Sequence, residues 1–247
     1  MDSQNIIYCI GDSHVSFFSG QDKMQLPWPH KSNDRLAFFK TFRLGAVLAD
    51  SLSKYGSSMK GRELLFVLLD RRMPMVEFRS IPPKSKVLFC FGEIDCRFHI
   101  LKQSIQRDVE VEVVVEETVN KYVNVLKEFQ ALEYEILVWN VIPPTNPAKT
   151  NPEYPHYGKY SERIKATMLF NNFLKKKCTD FKFNFIDIYD QLIEKNYHAN
   201  MNYYMDEIHL SQKAMSFTID SLQKIYPDIF NYKGSPQVSF IKKMLGK

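Results

Sequence analysis

Gly11-Asp12-Ser13-His14 follows five apolar residues, Ile6-Ile7-Tyr8-Cys9-Ile10, that read as a first β-strand. A hydroxyl just past that strand sits where open α/β sheets bind ligands, at the carboxyl edge of the sheet. Far downstream, Asp206-Glu207-Ile208-His209-Leu210-Ser211 sets an acid and an imidazole three positions apart, ahead of an amphipathic helix. A serine hydroxyl is a weak nucleophile until a base takes its proton. Histidine, with an ordinary pKa of about 6.5, suits that task. A carboxylate holds the imidazole tautomer and stabilises the imidazolium that forms. Asp206 and His209 on one turn can meet each other while the ring still projects toward Ser13. The turn after Ser13 also offers backbone N–H groups to an oxyanion. This is the chemistry of a serine hydrolase.

Such residues need a scaffold that brings both ends of the chain together. Short apolar runs at residues 6–10, 64–69, 86–91, 135–141 and 184–188 have little polar alternation, as expected of parallel strands covered on both faces. Between them the pattern predicts helices over 36–55, 115–132, 161–179 and 211–226. The second has an apolar stripe of Val115, Val119, Tyr122, Val123, Leu126 and Phe129, which puts one face on a sheet. Ser211 is a good N-cap for the last helix. The alternation predicts a three-layer α/β/α sandwich, flavodoxin-like, with a mostly parallel five-stranded sheet and right-handed crossovers.

Three connections, 14–34, 99–113 and 142–160, are longer than packing needs. The last carries Pro143-Pro144, Pro147, Pro152 and Pro155 and must be irregular but stiff. Two of the three leave strand carboxyl ends and would overhang Ser13, as lids or substrate walls do.

The 247 residues suffice for one large core, so a single domain over 1–247 is expected, with its core at about 5–227 and a C-terminal extension over 228–247. A net charge of +5 is too modest to argue for nucleic acid, and Lys175-Lys176-Lys177 reads as the solvated side of a helix. The longest apolar run, 64–69, is too short to cross a bilayer. Asp2 and the lack of a basic n-region argue against a signal peptide, so a cytoplasmic chain without membrane insertion is expected. Cys9, Cys90, Cys96 and Cys178 show no disulfide framework. A zinc site from Cys90, Cys96 and His99 lacks the usual close ligand pairs, and neither metal nor cofactor is expected.

In order and strand placement these motifs resemble the SGNH (GDSL-like) hydrolase family. Gly11-Asp12-Ser13 matches its first block, Gly45 within Arg43-Leu44-Gly45-Ala46 its second, and Gly92-Glu93-Ile94-Asp95 its third. Asp206 and His209 match its last, and Pro143-Pro144 after the fourth strand is also like the family. The likeness runs from Ile6 to Tyr226. It implies Ser13 as nucleophile, His209 as base and Asp206 as its orienter. It also implies an oxyanion hole from the Ser13 and Gly45 amides and a third-block Asn. Here Ile94 holds the Asn position and donates nothing. Either nearby Arg97 supplies the missing positive charge, or the site has degenerated to binding alone.

Other residues frame the pocket. Asp12 is expected to cap the turn after it, and His14 to touch the pocket. Glu93 and Asp95 are expected to pair with Arg97 or Arg43 in a buried network. His30, His156 and His198 lie in polar loops and are expected at the surface. Tyr154, Tyr157 and Tyr160 either stack on a sugar ring or pack against the protein. The resulting expectation is an ester hydrolase with a small-molecule or carbohydrate ester substrate, O-acetyl esters included. Acyl transfer by the same triad and a degenerate carbohydrate-binding module are the alternatives, and the oligomeric state is not readable.

Overall fold

The computed structural model describes residues 5–69, 81–147 and 151–230. Five strands form the centre: β1 (Ile7–Gly11), β2 (Phe39–Arg43), β3 (Lys86–Cys90), β4 (Glu135–Trp139) and β5 (Asn184–Ile186). All neighbours are parallel in the order β2-β1-β3-β4-β5, the flavodoxin-like doubly wound arrangement. Parallel strands need long crossovers. A 3-10 helix (Ser13–Ser19) lies between β1 and β2, α1 (Gly61–Leu69) between β2 and β3, α2 (Ile100–Arg107) and α3 (Val111–Ala131) between β3 and β4, and α4 (Tyr160–Phe181) between β4 and β5, while α5 (Met215–Ile225) follows the last strand.

Because successive strand residues face opposite sides, each strand feeds two cores. Tyr8, Ile10, Val87, Phe89, Ile136 and Val138 pack with Leu65, Leu68, Val115, Tyr122, Phe129 and Phe170 from α1, α3 and α4. Ile7, Cys9, Leu88, Leu137 and Ile186 pack on the other face with Phe17, Phe18, Ile219 and Leu222. The result is a three-layer α/β/α sandwich. All six residues of the α3 stripe are buried, and the Ser211 hydroxyl accepts from the Lys213 amide at the entrance to α5.

Two expected elements are corrected. Residues 36–55 are not a helix: they form edge strand β2 and, after a turn, a short 3-10 helix over Asp50–Ser53. In Phe39-Lys40-Thr41-Phe42 the aromatics answer to alternate faces, Phe39 on one core and Phe42 on the other, and Phe and Thr suit a pleated surface. Residues 64–69 are not a strand but the end of α1. Its buried positions Gly61, Leu65, Leu68 and Leu69 fall at helical spacing, a period that a short apolar run conceals. The long connection at 99–113 is also largely helical, holding α2 and the start of α3. Part of the expected C-terminal extension, 231–247, lies outside the described residues, as do Lys242-Lys243. No helix among the described residues is long and apolar enough to cross a membrane.

Strand register aligns one edge of the sheet. Gly11 pairs with Arg43 on one side and Cys90 on the other. The carboxyl ends of β1, β2 and β3 therefore finish level, and the loops bearing Ser13, Gly45 and Gly92–Asp95 leave side by side.

Candidate active site

β1 ends at Gly11 because only glycine fits there: a Cβ would collide with the Cys90 carbonyl. The chain then turns into a 3-10 helix, Ser13–Ser19, and Asp12 caps it as expected, its Oδ1 accepting from the His14 amide at 2.9 Å. Ser13 opens this helix at the carboxyl edge of the sheet.

The second half of the site is a tight loop before α5. The Met205 amide donates to the His209 carbonyl at 2.9 Å. Asp206 Oδ1 accepts the amides of Ile208 (2.8 Å) and His209 (2.7 Å). Its other oxygen, Oδ2, is 2.7 Å from His209 Nδ1. The far ring nitrogen, Nε2, lies 2.8 Å from Ser13 Oγ. Ser13, His209 and Asp206 thus form one continuous line. The loop is braced from outside: Tyr204 donates its hydroxyl to the Pro143 carbonyl at 2.6 Å, and Thr145 donates to the Glu207 carbonyl.

Electrostatics favour a neutral imidazole at rest. Burial raises the Asp206 pKa, but the His209 ring and the two amides outweigh it and bring the carboxyl to about 2. His209, with 2% of its surface exposed, is driven below its usual 6.5 by burial; the Asp206 hydrogen bond opposes this and the His14 charge adds to it. The ring is held between His14, at 4.8 Å between centroids, and the edge-on Tyr154, at 5.3 Å.

Gly45 stands at φ +94°, a conformation that favours glycine, beneath the Met59 methyl, which a Cβ would approach to 2.9 Å. The Ser13 and Gly45 amides donate to no group among the described residues. The turn after Gly45 is pinned by Asp95, fully buried, whose carboxylate accepts the amides of Ala49 (2.7 Å) and Asp50 (3.1 Å). This corrects the expected pairing of Asp95 with an arginine. An acid that accepts two backbone donors has no need of a guanidinium.

Arg97 pairs with Glu93, as expected. Its Nε donates to Glu93 Oε1 at 2.7 Å and its Nη1 to the Pro155 carbonyl. With its side chain 10% exposed, the guanidinium is a strut between the third-block turn and the proline-rich loop, its Nε and Nη1 both committed there. Arg43 likewise gives its Nη1 to the Gln25 carbonyl at 2.6 Å. His14, buried, brings its Nε2 to 3.2 Å from Glu93 Oε2. Of the loop tyrosines, Tyr157 packs edge-on against Phe98 and Tyr160 against His198, while Tyr154 alone faces the triad.

A small cleft between the ends of β1, β3 and β4 is lined by Asp12, His14, Glu93, Trp139 and Asn140 among others. Sequence reading passed over Asn140. The signal was there: a polar residue ends the apolar run of β4 at the sheet edge where Ser13 lies. Its Oδ1 accepts from the Ile188 amide at 3.0 Å, which ties β4 to the segment after β5.

No family model and no curated protein matches the sequence. Solved structures do match it by fold. A Bacteroides fragilis protein assigned as an acylhydrolase superposes with a TM-score of 0.55 at 12% identity, over 93% of this chain and 90% of that one. A GDSL-like lipase from Bacteroides thetaiotaomicron gives 0.53 at 11% identity, over 94% and 90%. The OSK domain of Drosophila Oskar gives 0.50 at 10% identity, over 87% and 86%. At such identities the likeness establishes the fold, and the fold is that of the SGNH (GDSL-like) hydrolases.

Proposed function

We propose that this chain is a serine ester hydrolase working through an acyl-Ser13 intermediate, with His209 as base and Asp206 as orienter. The observation that carries the reading is the unbroken line Ser13 Oγ–His209 Nε2 (2.8 Å) and His209 Nδ1–Asp206 Oδ2 (2.7 Å). In the first half-reaction Ser13 Oγ bonds to the ester carbon while its proton passes to His209 Nε2, and the carbonyl π pair moves onto oxygen. The amides of Ser13 and Gly45 receive that oxygen. When the pair returns, the ester C–O bond breaks and the leaving alcohol takes the proton from His209. In the second half-reaction water gives its proton to His209 as it attacks, and the acyl–Oγ bond breaks with Ser13 regaining its proton. Asp206 keeps the ring oriented and balances its charge throughout.

An O-acyl carbohydrate is the substrate class put forward here. Tyr154, its ring nearly perpendicular to that of His209 at 5.3 Å, supports it as an aromatic beside the triad against which a sugar ring can lie. A competing reading, binding without turnover, draws on Ile94 in the third block, which offers no side-chain donor. A fluorophosphonate probe separates the two. Labelling of wild type and none of Ser13→Ala supports the hydrolase, and an unlabelled wild type refutes it. Product analysis with an added alcohol then distinguishes hydrolysis from acyl transfer.

A further inference from the structure

We propose that His14 is the charged oxyanion donor of this site, doing from the first block what Ile94 cannot do from the third. The inference rests on the serine-hydrolase reading above and deepens it. His14 follows the nucleophile directly, is 7% exposed, and has its ring 4.8 Å from that of His209. Its Nε2 faces Glu93 Oε2 at 3.2 Å, and no bond engages Nδ1 among the described residues. One ring nitrogen is therefore held by a carboxylate while the other is available to a substrate oxygen. Glu93 is itself fixed by Arg97, and Arg97 by the Pro155 carbonyl. A chain of contacts thus runs from the proline-rich loop to the imidazole.

The Glu93–His14 contact is close but poorly aligned. Both atoms, together with Asp12 Oδ2, are buried without a hydrogen-bond partner, and all three residues border the same cleft. An imidazolium held by charge and not by a directed bond can tilt toward a new acceptor at small cost.

The groups facing His14 are Glu93 and Arg97 on the third-block turn, Asp12 at the end of β1, and His209 on the loop before α5. Burial alone would favour the neutral ring. Two carboxylates against one guanidinium reverse that and raise the His14 pKa, while the Arg97 and His14 charges hold Glu93 at about 2 against its burial. The two histidines are therefore biased oppositely, His14 toward the cation and His209 toward the free base. During attack, as the Ser13 proton passes to His209, Nδ1–H of His14 donates to the new oxyanion beside the two amides. His14 keeps its own proton from start to finish.

The test is the rate of fluorophosphonate labelling of Ser13 across pH 5–10, which needs no knowledge of the substrate. Wild type should rise as His209 deprotonates and fall again at higher pH as His14 loses its proton. Glu93→Gln removes the counter-charge and should move the falling limb to lower pH. His14→Gln, a donor that does not titrate, should lose the falling limb and label about 10²-fold more slowly at its plateau. A wild type without a falling limb, or a His14→Gln protein that keeps it, overturns the proposal. Melting curves accompany each variant, and if His14→Gln does not fold, the limb in Glu93→Gln decides. No labelling of wild type at any pH sinks the hydrolase reading and this inference together. Labelling with a profile independent of residue 14 sinks this inference alone.

Discussion

Asp95 is the buried carboxylate on which the Gly45 turn hangs, and its removal has effects that can be worked out. Asp95→Ala leaves the amides of Ala49 and Asp50 without their acceptor, at about 1–3 kcal/mol each for a buried donor. Relief of the carboxylate's own desolvation offsets part of this, leaving a net loss of about 2–3 kcal/mol. In a chain of this size that lowers Tm by roughly 4–12 °C. The pH dependence carries a second signature. Burial lifts the Asp95 carboxyl from the usual 3.8 to about 7, against the two amide bonds and with help from Asp50 and Asp12. A raised carboxyl stabilises the fold fully below its unfolded pKa and loses that contribution as pH climbs through about 7. Wild-type Tm should therefore fall between pH 5 and pH 8. Asp95→Asn keeps one acceptor but does not titrate, so it should flatten the upper part of that fall. Asp12, raised to about 6 chiefly by burial, would keep the lower part. Calorimetric melts of the three proteins at pH 5, 6.5 and 8 measure both effects. The reasoning is refuted if Asp95→Ala melts within about 1 °C of wild type, or if Asp95→Asn retains the full slope.

Further outcomes rest on the same geometry. His209→Ala should reduce p-nitrophenyl acetate hydrolysis by about 10³-fold or more with its melting curve preserved, as loss of a triad base does; a rate near wild type would remove His209 from the mechanism. Ile94→Asn should raise that rate by restoring a neutral donor to the third block, and a fall in rate would mean that the pocket is organised without this position. Phe129→Ala, fully buried and stacked on Phe89 at 5.9 Å, should cost about 3–5 kcal/mol, read as a shifted denaturation midpoint with an unchanged slope.

The motifs were legible because they stand at changes of pattern. An apolar run stopping at Gly11, and Asp206–His209 preceding a capped helix, betray their places without any knowledge of long-range contacts. The strands β1, β3, β4 and β5 were visible as short apolar runs with little polar alternation, each followed by a change of pattern. The stretch between Leu36 and Leu69 was not. Edge strand β2 has a single partner and carries Lys40 and Arg43, so its composition resembles a solvated helix, whereas α1 contributes so compact an apolar run that its period is hidden. Within the site, Ser13, His209 and Asp206 could be placed from order alone. The Glu93–Arg97 pair was legible too, but the partners of Asp95 and the second anchor of Arg97 were not. These are backbone groups, Ala49, Asp50 and Pro155, whose availability depends on how loops fold and not on which side chains they carry.

Ser13 and His209, the proposed nucleophile and base, are 196 positions apart. As a ribosome extends the chain, Ser13 emerges before the segment ahead of α5, and its hydroxyl stays as inert as any surface serine until that segment has docked. On the proposed mechanism reactivity is thus a property of the finished fold, and half-made or unravelled copies carry no activated alcohol with which to attack neighbouring esters.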